Sequence, residues 1–233
     1  MEIIAHSTSK SQAAAQFNLV APIYPALERL VFGSRLDDAR QAFFEDALKA
    51  NRVLLVGEGN GRFLKALVSR KSAGFIKVVE KSGVMIHLAK KRAGASRKVA
   101  LEFIEADFRL CQPGKEFDCI VTHFFLDQFN PPAQLAIIEK FAGLTTESGT
   151  WINVDFVPAR TLQSGLLMWL QYAFFRVVSR IEAKRCFDES LAAAQSGWTI
   201  ANTVPHLGGL VVAKRYQRAP VPAAGHNTPN PAP

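Results

Sequence analysis

The chain has 233 residues, 48% hydrophobic and 21% charged, with a net charge of +8. These values describe a globular chain able to bury one well-formed domain, and they exclude a disordered or fibrous protein. Cys111, Cys119 and Cys186 lack C-x-x-C or Cys/His ligand spacing, which argues against a disulfide framework or zinc site and for a reducing compartment, with cytoplasm as the default.

The opening MEIIAHSTSKSQ has no apolar run behind a basic segment, so no secretory signal is read there. Gln16 to Ala50 reads as helices broken at Pro22, Pro25 and Gly33. The run VLLVGEGNGRF, Val53 to Phe63, then passes from an apolar strand into Gly57, Gly59 and Gly61. A helical pattern follows over Arg62–Arg70. Glycines in such a turn permit positive φ and close approach of a ligand to the main chain. The helix behind them aims its free N–H groups at that ligand.

A second strand, Phe75 to Glu80, ends in a carboxylate 19 residues after Gly61. In nucleotide-binding crossovers an acid about 20 residues past the glycines accepts hydrogen bonds from ribose hydroxyls. A helix over Ser82–Arg92 leads to a third strand, Val99 to Glu105, which ends at Ala106-Asp107-Phe108. FDCIVTHFFLDQF, Phe117 to Phe129, is the fourth element, and a helix covers Pro131–Leu144. The fifth strand is Thr150 to Phe156, after a Ser148-Gly149 turn.

Beyond it, Thr161 to Lys184 carries LLMWLQYAFFRVV, the most apolar stretch. It is too short for a membrane span, which takes about 20 residues. Leu162, Leu166, Leu170, Ala173, Phe174, Val177 and Ile181 share one helical face, while Trp169, Tyr172 and Phe175 widen the apolar arc. A helix at Asp188–Gln195 precedes two strands, Trp198 to Val204 and Gly209 to Tyr216. Their short connection requires antiparallel pairing. The Pro-rich end from residue 218 to 233 reads as disordered, which discounts His226.

The glycine spacing fails the dinucleotide fingerprint, because the sixth position is Arg62, and no Gly-Lys-Ser/Thr follows. What remains, G-x-G-x-G, resembles motif I of the class I S-adenosylmethionine-dependent methyltransferases. The resemblance covers about Arg52 to Phe156 and takes in the acid Glu80, the pair Asp107-Phe108, the cluster around His123 and the strand TWINVDF. One antiparallel strand beside parallel ones is the mark of that family's sheet. The resemblance implies an α/β, Rossmann-like three-layer sandwich with a seven-stranded, mostly parallel sheet and one antiparallel strand. It divides the chain into a helical lid segment (1–50), a cofactor-binding domain (51–217) with a helical insert (161–184), and a tail (218–233).

The implied cofactor is S-adenosylmethionine, with S-adenosylhomocysteine as product. The resemblance assigns Gly57, Glu58, Gly59, Asn60, Gly61, Glu80, Lys81, Asp107, Phe108, His123 and the lid aromatic Tyr24 to its site. Asp107 is expected beside the adenine amino group and Phe108 on the ring. One departure stands out: the family usually has an acid two residues before the first glycine, where this chain has Leu55, and Glu58 is the candidate to replace it.

His123 is the first candidate base, because it ends the fourth strand where the methyl group is expected and imidazole titrates near pH 6.5. Asp127 is second and Asp155 third. His87, on the second helix, reads as structural. The expected acceptor is a small apolar or amphipathic molecule under the insert, whose apolar arc also suits a membrane surface, a second copy in a homodimer, or plain core packing. Nucleic acid is disfavoured, because the basic residues are dispersed over helix ends without interleaved aromatics. Two alternatives remain: a cofactor-binding protein without transfer activity, and a lipid or quinone methyltransferase working at a membrane surface.

Overall fold

The computed structural model describes residues 35–158 and 187–219. Phe17, Tyr24, the apolar insert helix with Trp169, and the Pro-rich tail lie outside the described residues. Two short helices, α1 (Arg35–Arg40) and α2 (Phe44–Lys49), precede β1 (Arg52–Val56), α3 (Arg62–Arg70), β2 (Gly74–Glu80) and α4 (Gly83–Ala93). Then come β3 (Val99–Glu105), β4 (Phe117–His123), a 3-10 turn (Leu126–Gln128), α5 (Pro131–Leu144) and β5 (Thr145–Phe156). After the insert follow α6 (Ser190–Gln195), β6 (Trp198–His206), a second 3-10 turn (Leu207–Gly209) and β7 (Val211–Arg218).

The seven strands form one sheet in the order β3-β2-β1-β4-β5-β7-β6. All pairs from β3 to β5 are parallel, and β7 runs antiparallel to both β5 and β6. This is the expected mostly parallel sheet with a single reversed strand. Because β1 pairs with both β2 and β4, the chain order reverses there, and the crevice beyond their C-terminal ends is the place where open α/β sheets bind ligands.

The central strands are apolar throughout because helices cover both faces. Leu54, Val56, Ile120 and Trp151 pack toward α5 and α6 with Phe141, Trp198 and Tyr216. Val53, Leu55, Val121 and Ile152 pack toward the other face with Phe44, Phe63, Leu67 and Ala89. That alternation is the period of two along a strand. Trp151 stacks on Tyr216 at 4.4 Å, a pairing worth about 0.5–1.5 kcal/mol beyond burial. Asn130 caps α5 by accepting from the Ala133 N–H at 3.1 Å, and prolines occupy the first helical positions, where no N–H is needed.

Several sequence boundaries move, among them the end of β6, which runs to His206 and not Val204. β5 begins at Thr145, not Thr150, because the pairing with β4 shifts register between Phe117 and Cys119 and leaves Thr146 to Gly149 opposite Asp118. α6 starts at Ser190 rather than Asp188, whose Oδ1 accepts from the Ser190 N–H at 2.9 Å. β7 occupies Val211–Arg218, and the connection before it is a 3-10 turn. Within the segment expected as a lid, α1 and α2 lie on the sheet: Leu36 and Ala39 pack with Val154 and Phe156, and Phe44 and Ala47 pack with Val53 and Phe63.

Candidate active site

The glycine loop adopts the left-handed conformations its sequence demands. Gly57, Gly59 and Gly61 have φ of 68°, 65° and 80°. A Cβ on Gly57 would meet the Phe125 ring at 2.6 Å, and one on Gly61 would meet the Ala89 Cα at 2.6 Å. Packing therefore fixes those two. A Cβ on Gly59 would meet nothing within 4 Å, so the middle of the loop presents bare backbone to open space. Behind it, Gly61 is the N-cap of α3 and has no side chain to cap it with. Glu58 supplies the cap from within the loop, its Oε1 accepting from the Leu64 N–H at 2.9 Å. Burial pushes the Glu58 carboxyl up to about 7, against the pull of that bond and of Arg40.

Glu80 ends β2 beside the loop. Its Oε2 accepts from the Gly59 N–H at 3.0 Å and its Oε1 from the Ser82 N–H at 2.9 Å. Burial raises its carboxyl above the ordinary range, opposed by these bonds. The Lys81 backbone N–H is a third donor to the same carboxylate. Asp107, past the end of β3, is held by the Arg109 guanidinium at 2.7 Å and 3.0 Å, which draws its carboxyl down to about 2. Lys81 lies 3.5 Å from the same carboxylate and is mostly exposed. Asn60 is tied to Arg92, whose guanidinium donates to its backbone carbonyl at 2.8 Å. Phe108 is buried, with its ring 5.2 Å from Phe141 and 6.3 Å from Phe125, so it belongs to the core behind the loop.

The ends of β4 and β5 are different. His123 is buried against the Phe63 ring at 4.7 Å, and its Nε2 has no hydrogen-bond partner. Burial, helped by the Arg40 charge, pulls its imidazole down to about 3, so it is neutral at pH 7. Phe124 follows with φ 54°, a conformation that costs on the order of 1–3 kcal/mol for such a residue and collects at functional sites. Arg40 lies over its ring at 4.8 Å.

On the opposite face of the sheet, Asp155 Oδ2 accepts from the Leu126 N–H at 3.0 Å. Asp155 Oδ1 and Asp127 Oδ1 are buried without partners. Burial raises both carboxyls, and the Asp127 and Glu189 charges raise Asp155 further. Glu189 is fixed by Asn153 at 2.8 Å, Tyr216 at 2.9 Å and Lys214 at 3.3 Å.

The residues read from the sequence thus gather on one edge of the sheet, but not in one cluster. Gly57–Gly61 and Glu80 meet directly. Asp107 stands past β3, and His123 and Asp127 face opposite sides. Tyr24 lies outside the described residues. Arg40 and Glu189 carry no sequence signal; tertiary packing alone brings them in. Among the described residues no group of His, Cys, Asp or Glu is arranged to hold a metal ion, and no helix is long and apolar enough to cross a membrane.

A mostly parallel sheet with a chain reversal at β1 and β4, an open glycine loop and a carboxylate closing the next strand define a Rossmann-like domain. Residues 53–149 match a family model described as a methyltransferase domain. The fold is similar to that of mitomycin 7-O-methyltransferase MmcR, with TM-score 0.63 and 16% identity over 87% of this chain and 60% of that one. It is also similar to magnesium protoporphyrin IX methyltransferase ChlM from Synechocystis PCC 6803, solved with bound S-adenosylhomocysteine, with TM-score 0.59 and 17% identity over 82% and 85% of the two chains. A third likeness is to N-methyltransferase NodS from Bradyrhizobium japonicum WM9, with TM-score 0.57 and 14% identity over 79% and 97%. At these identities the likeness is one of fold. The chain spans 60% of the length of MmcR. No curated protein matches by sequence. Residues 53–149 thus match the methyltransferase-domain model, and the fold around them is similar to that of S-adenosylmethionine-dependent methyltransferases.

Proposed function

We propose that this protein binds S-adenosylmethionine over the glycine loop and transfers its methyl group to a small apolar or amphipathic acceptor above the ends of β4 and β5. The observation that carries the reading is the bare backbone at Gly59, with the Glu80 carboxylate fastened to its N–H. In this reading Gly57, Gly59 and Gly61 cradle the cofactor and Glu80 takes the ribose hydroxyls. Asp107 takes the adenine amino group, with Asn60, Lys81, Phe108 and Tyr24 bordering the nucleoside. The bound sulfonium supplies an electrophilic methyl group. The protein's part is to align the acceptor and exclude water.

His123, neutral and with one nitrogen unsatisfied, accepts a hydrogen bond from an acceptor hydroxyl or amine. Asp127, its carboxyl raised to about 7 by burial, is the second candidate base. Free thiols at Cys111 and Cys119 suit a reducing compartment, the cytoplasm.

The test is calorimetric titration with S-adenosylmethionine and S-adenosylhomocysteine. Binding of both is expected, weakened about tenfold or more in Glu80→Ala, as loss of a charge-assisted hydrogen bond would do. Absence of binding to either would overturn the reading. A second reading, binding without transfer, is favoured by Leu55, which is buried where the family usually keeps an acid. Methyl transfer to any acceptor in a panel of phenols and amines would exclude it.

A further inference from the structure

The turn after β4 carries one charge, Asp127, among Phe124, Phe125, Leu126 and Phe129. Gln134 from α5 fixes that turn by donating to the Leu126 and Phe129 carbonyls at 2.9 Å and 3.3 Å. Asp155, near the end of β5, meets the same turn. Its Oδ2 accepts from the Leu126 N–H at 3.0 Å, one residue before Asp127. Two carboxyls from different elements are thus brought to one short turn, and neither is complete. Asp155 is 3% exposed, and its Oδ1 and the Oδ1 of Asp127 are buried without a donor.

The charges around the pair do not complete it. Those that act on Asp155 are Asp127 and Glu189, both of its own sign. Lys214 on β7 is committed to Asp188 at 2.8 Å and to Glu189 at 3.3 Å. Asn153 and Tyr216 donate to Glu189 as well. From α5 the turn receives only the neutral Gln134. A carboxylate buried without a counter-charge is costly, so such groups are paired with a cation or coordinate a metal. A metal ion does not fit here, because among the described residues no third ligand joins the pair.

The missing partner is therefore an organic cation that donates hydrogen bonds. A protonated amine does both, with N–H groups enough for two acceptors. A neutral hydroxyl offers one hydrogen bond and no charge. The apolar side chains of the turn suit a carbon skeleton behind the amine.

We propose that Asp127 and Asp155 together anchor a protonated amine of the acceptor, so that the site selects cationic amphiphiles over neutral phenols and alcohols. This rests on the reading that the acceptor lies above the ends of β4 and β5.

Calorimetry tests it on the full chain saturated with S-adenosylhomocysteine at about pH 8, where Asp127 is ionised. The probes are phenethylamine against its neutral isostere phenethyl alcohol, and hexylamine against hexanol. The amine of at least one pair is expected to bind about tenfold or more tightly than its alcohol, as a charge-assisted contact to a buried carboxylate gives. Asp155→Asn keeps an oxygen for the Leu126 N–H. It and Asp127→Asn are each expected to lose the preference, with S-adenosylhomocysteine affinity held within about twofold as the report of a folded chain. Both amines stay protonated while Asp127 titrates near 7, so wild-type amine affinity should fall about tenfold from pH 8 to pH 6 and alcohol affinity should not. If a variant loses S-adenosylhomocysteine too, that pH dependence decides. Amines that bind no more tightly than alcohols, or not at all, would overturn the anchor. A preference that survives both substitutions would overturn it as well, because the charge that is read would lie elsewhere. Failure of S-adenosylhomocysteine to bind would count against the cofactor reading alone, and the same pairs titrated against the unliganded chain would still decide the anchor.

Discussion

The ends of β1 to β3 and the ends of β4 and β5 share one edge of the sheet, and they treat their polar groups in opposite ways. On the first side each carboxylate has donors within the protein: Glu58 from Leu64, Glu80 from Gly59 and Ser82, Asp107 from Arg109. On the second, His123 Nε2, Asp127 Oδ1 and Asp155 Oδ1 are buried with none. A buried polar atom left unsatisfied costs about 1–3 kcal/mol. The nucleoside side is therefore assembled before any ligand arrives, and the other side holds hydrogen-bonding capacity in reserve. The proposed methyl transfer would use that division, because one cofactor is constant and the acceptor must be read by groups not already committed.

The preassembled side breaks most readily at its tightest glycine. Gly61→Ala sets a Cβ 2.6 Å from the Ala89 Cα at φ +80°, where backbone of α4 must move. We expect a loss of about 3 kcal/mol or more in denaturant unfolding. Gly59→Ala, at φ +65° with open space around it, should cost about 1–2 kcal/mol from the left-handed strain alone. The comparison separates packing from conformation within one loop, and equal losses would refute it.

The reserve side sharpens through pH. His123 titrates near 3 in the fold against 6.5 for an ordinary histidine. The unfolded chain takes up the proton first, so the stability His123 contributes is complete above pH 6.5 and lost as pH falls toward 3. His123→Gln should remove a slope worth a few kcal/mol, about 1.4 per unit of pKa difference, from unfolding curves taken between those limits. An unchanged slope would mean that His123 reaches solvent.

What the sequence disclosed follows the same division. The strands of the nucleoside side are continuous apolar runs or end in a marked acid, so Val53–Val56, Phe75–Glu80 and Val99–Glu105 were readable to within a residue or so. The glycines announced their positive φ because few other residues tolerate it. The start of β5 stayed hidden because TTESG is polar and turn-like, and only a register shift against β4 admits it to the sheet. Arg40 and Glu189 were invisible for a further reason. Thirty-six residues separate Glu189 from Asn153, and Arg40 meets the ring of Phe124 from a different element, so no local pattern encodes either meeting.

A smaller effect concerns the carboxyl pair. Burial and the charges of Asp127 and Glu189 raise Asp155, so the fold holds its proton more tightly than the unfolded chain does. The stability from that proton is present at low pH and lost as pH rises above 3.8 through the folded value. Asp155→Asn keeps an oxygen for the Leu126 N–H and removes the charge. It is expected to gain about 1–2 kcal/mol at pH 8 and little at pH 4, while methyl transfer falls. Destabilisation at pH 8 would show the charge to be compensated within the fold.

The smallest effect lies on the nucleoside side. Lys81 is 68% exposed and 3.5 Å from Asp107, whose carboxylate already accepts from the guanidinium and the backbone N–H of Arg109. A solvated ammonium adds little to an anion so occupied, and exposed pairs of this kind are worth about 0–1 kcal/mol. Lys81→Ala should leave unfolding within about 0.5 kcal/mol and cofactor affinity within about twofold. Arg109→Ala, by contrast, releases the Asp107 carboxyl from a value of about 2 and frees it to turn from the adenine position. If Lys81→Ala weakened S-adenosylhomocysteine as much as Arg109→Ala did, Lys81 would be touching the ligand directly, and the nucleoside side would also hold a group in reserve.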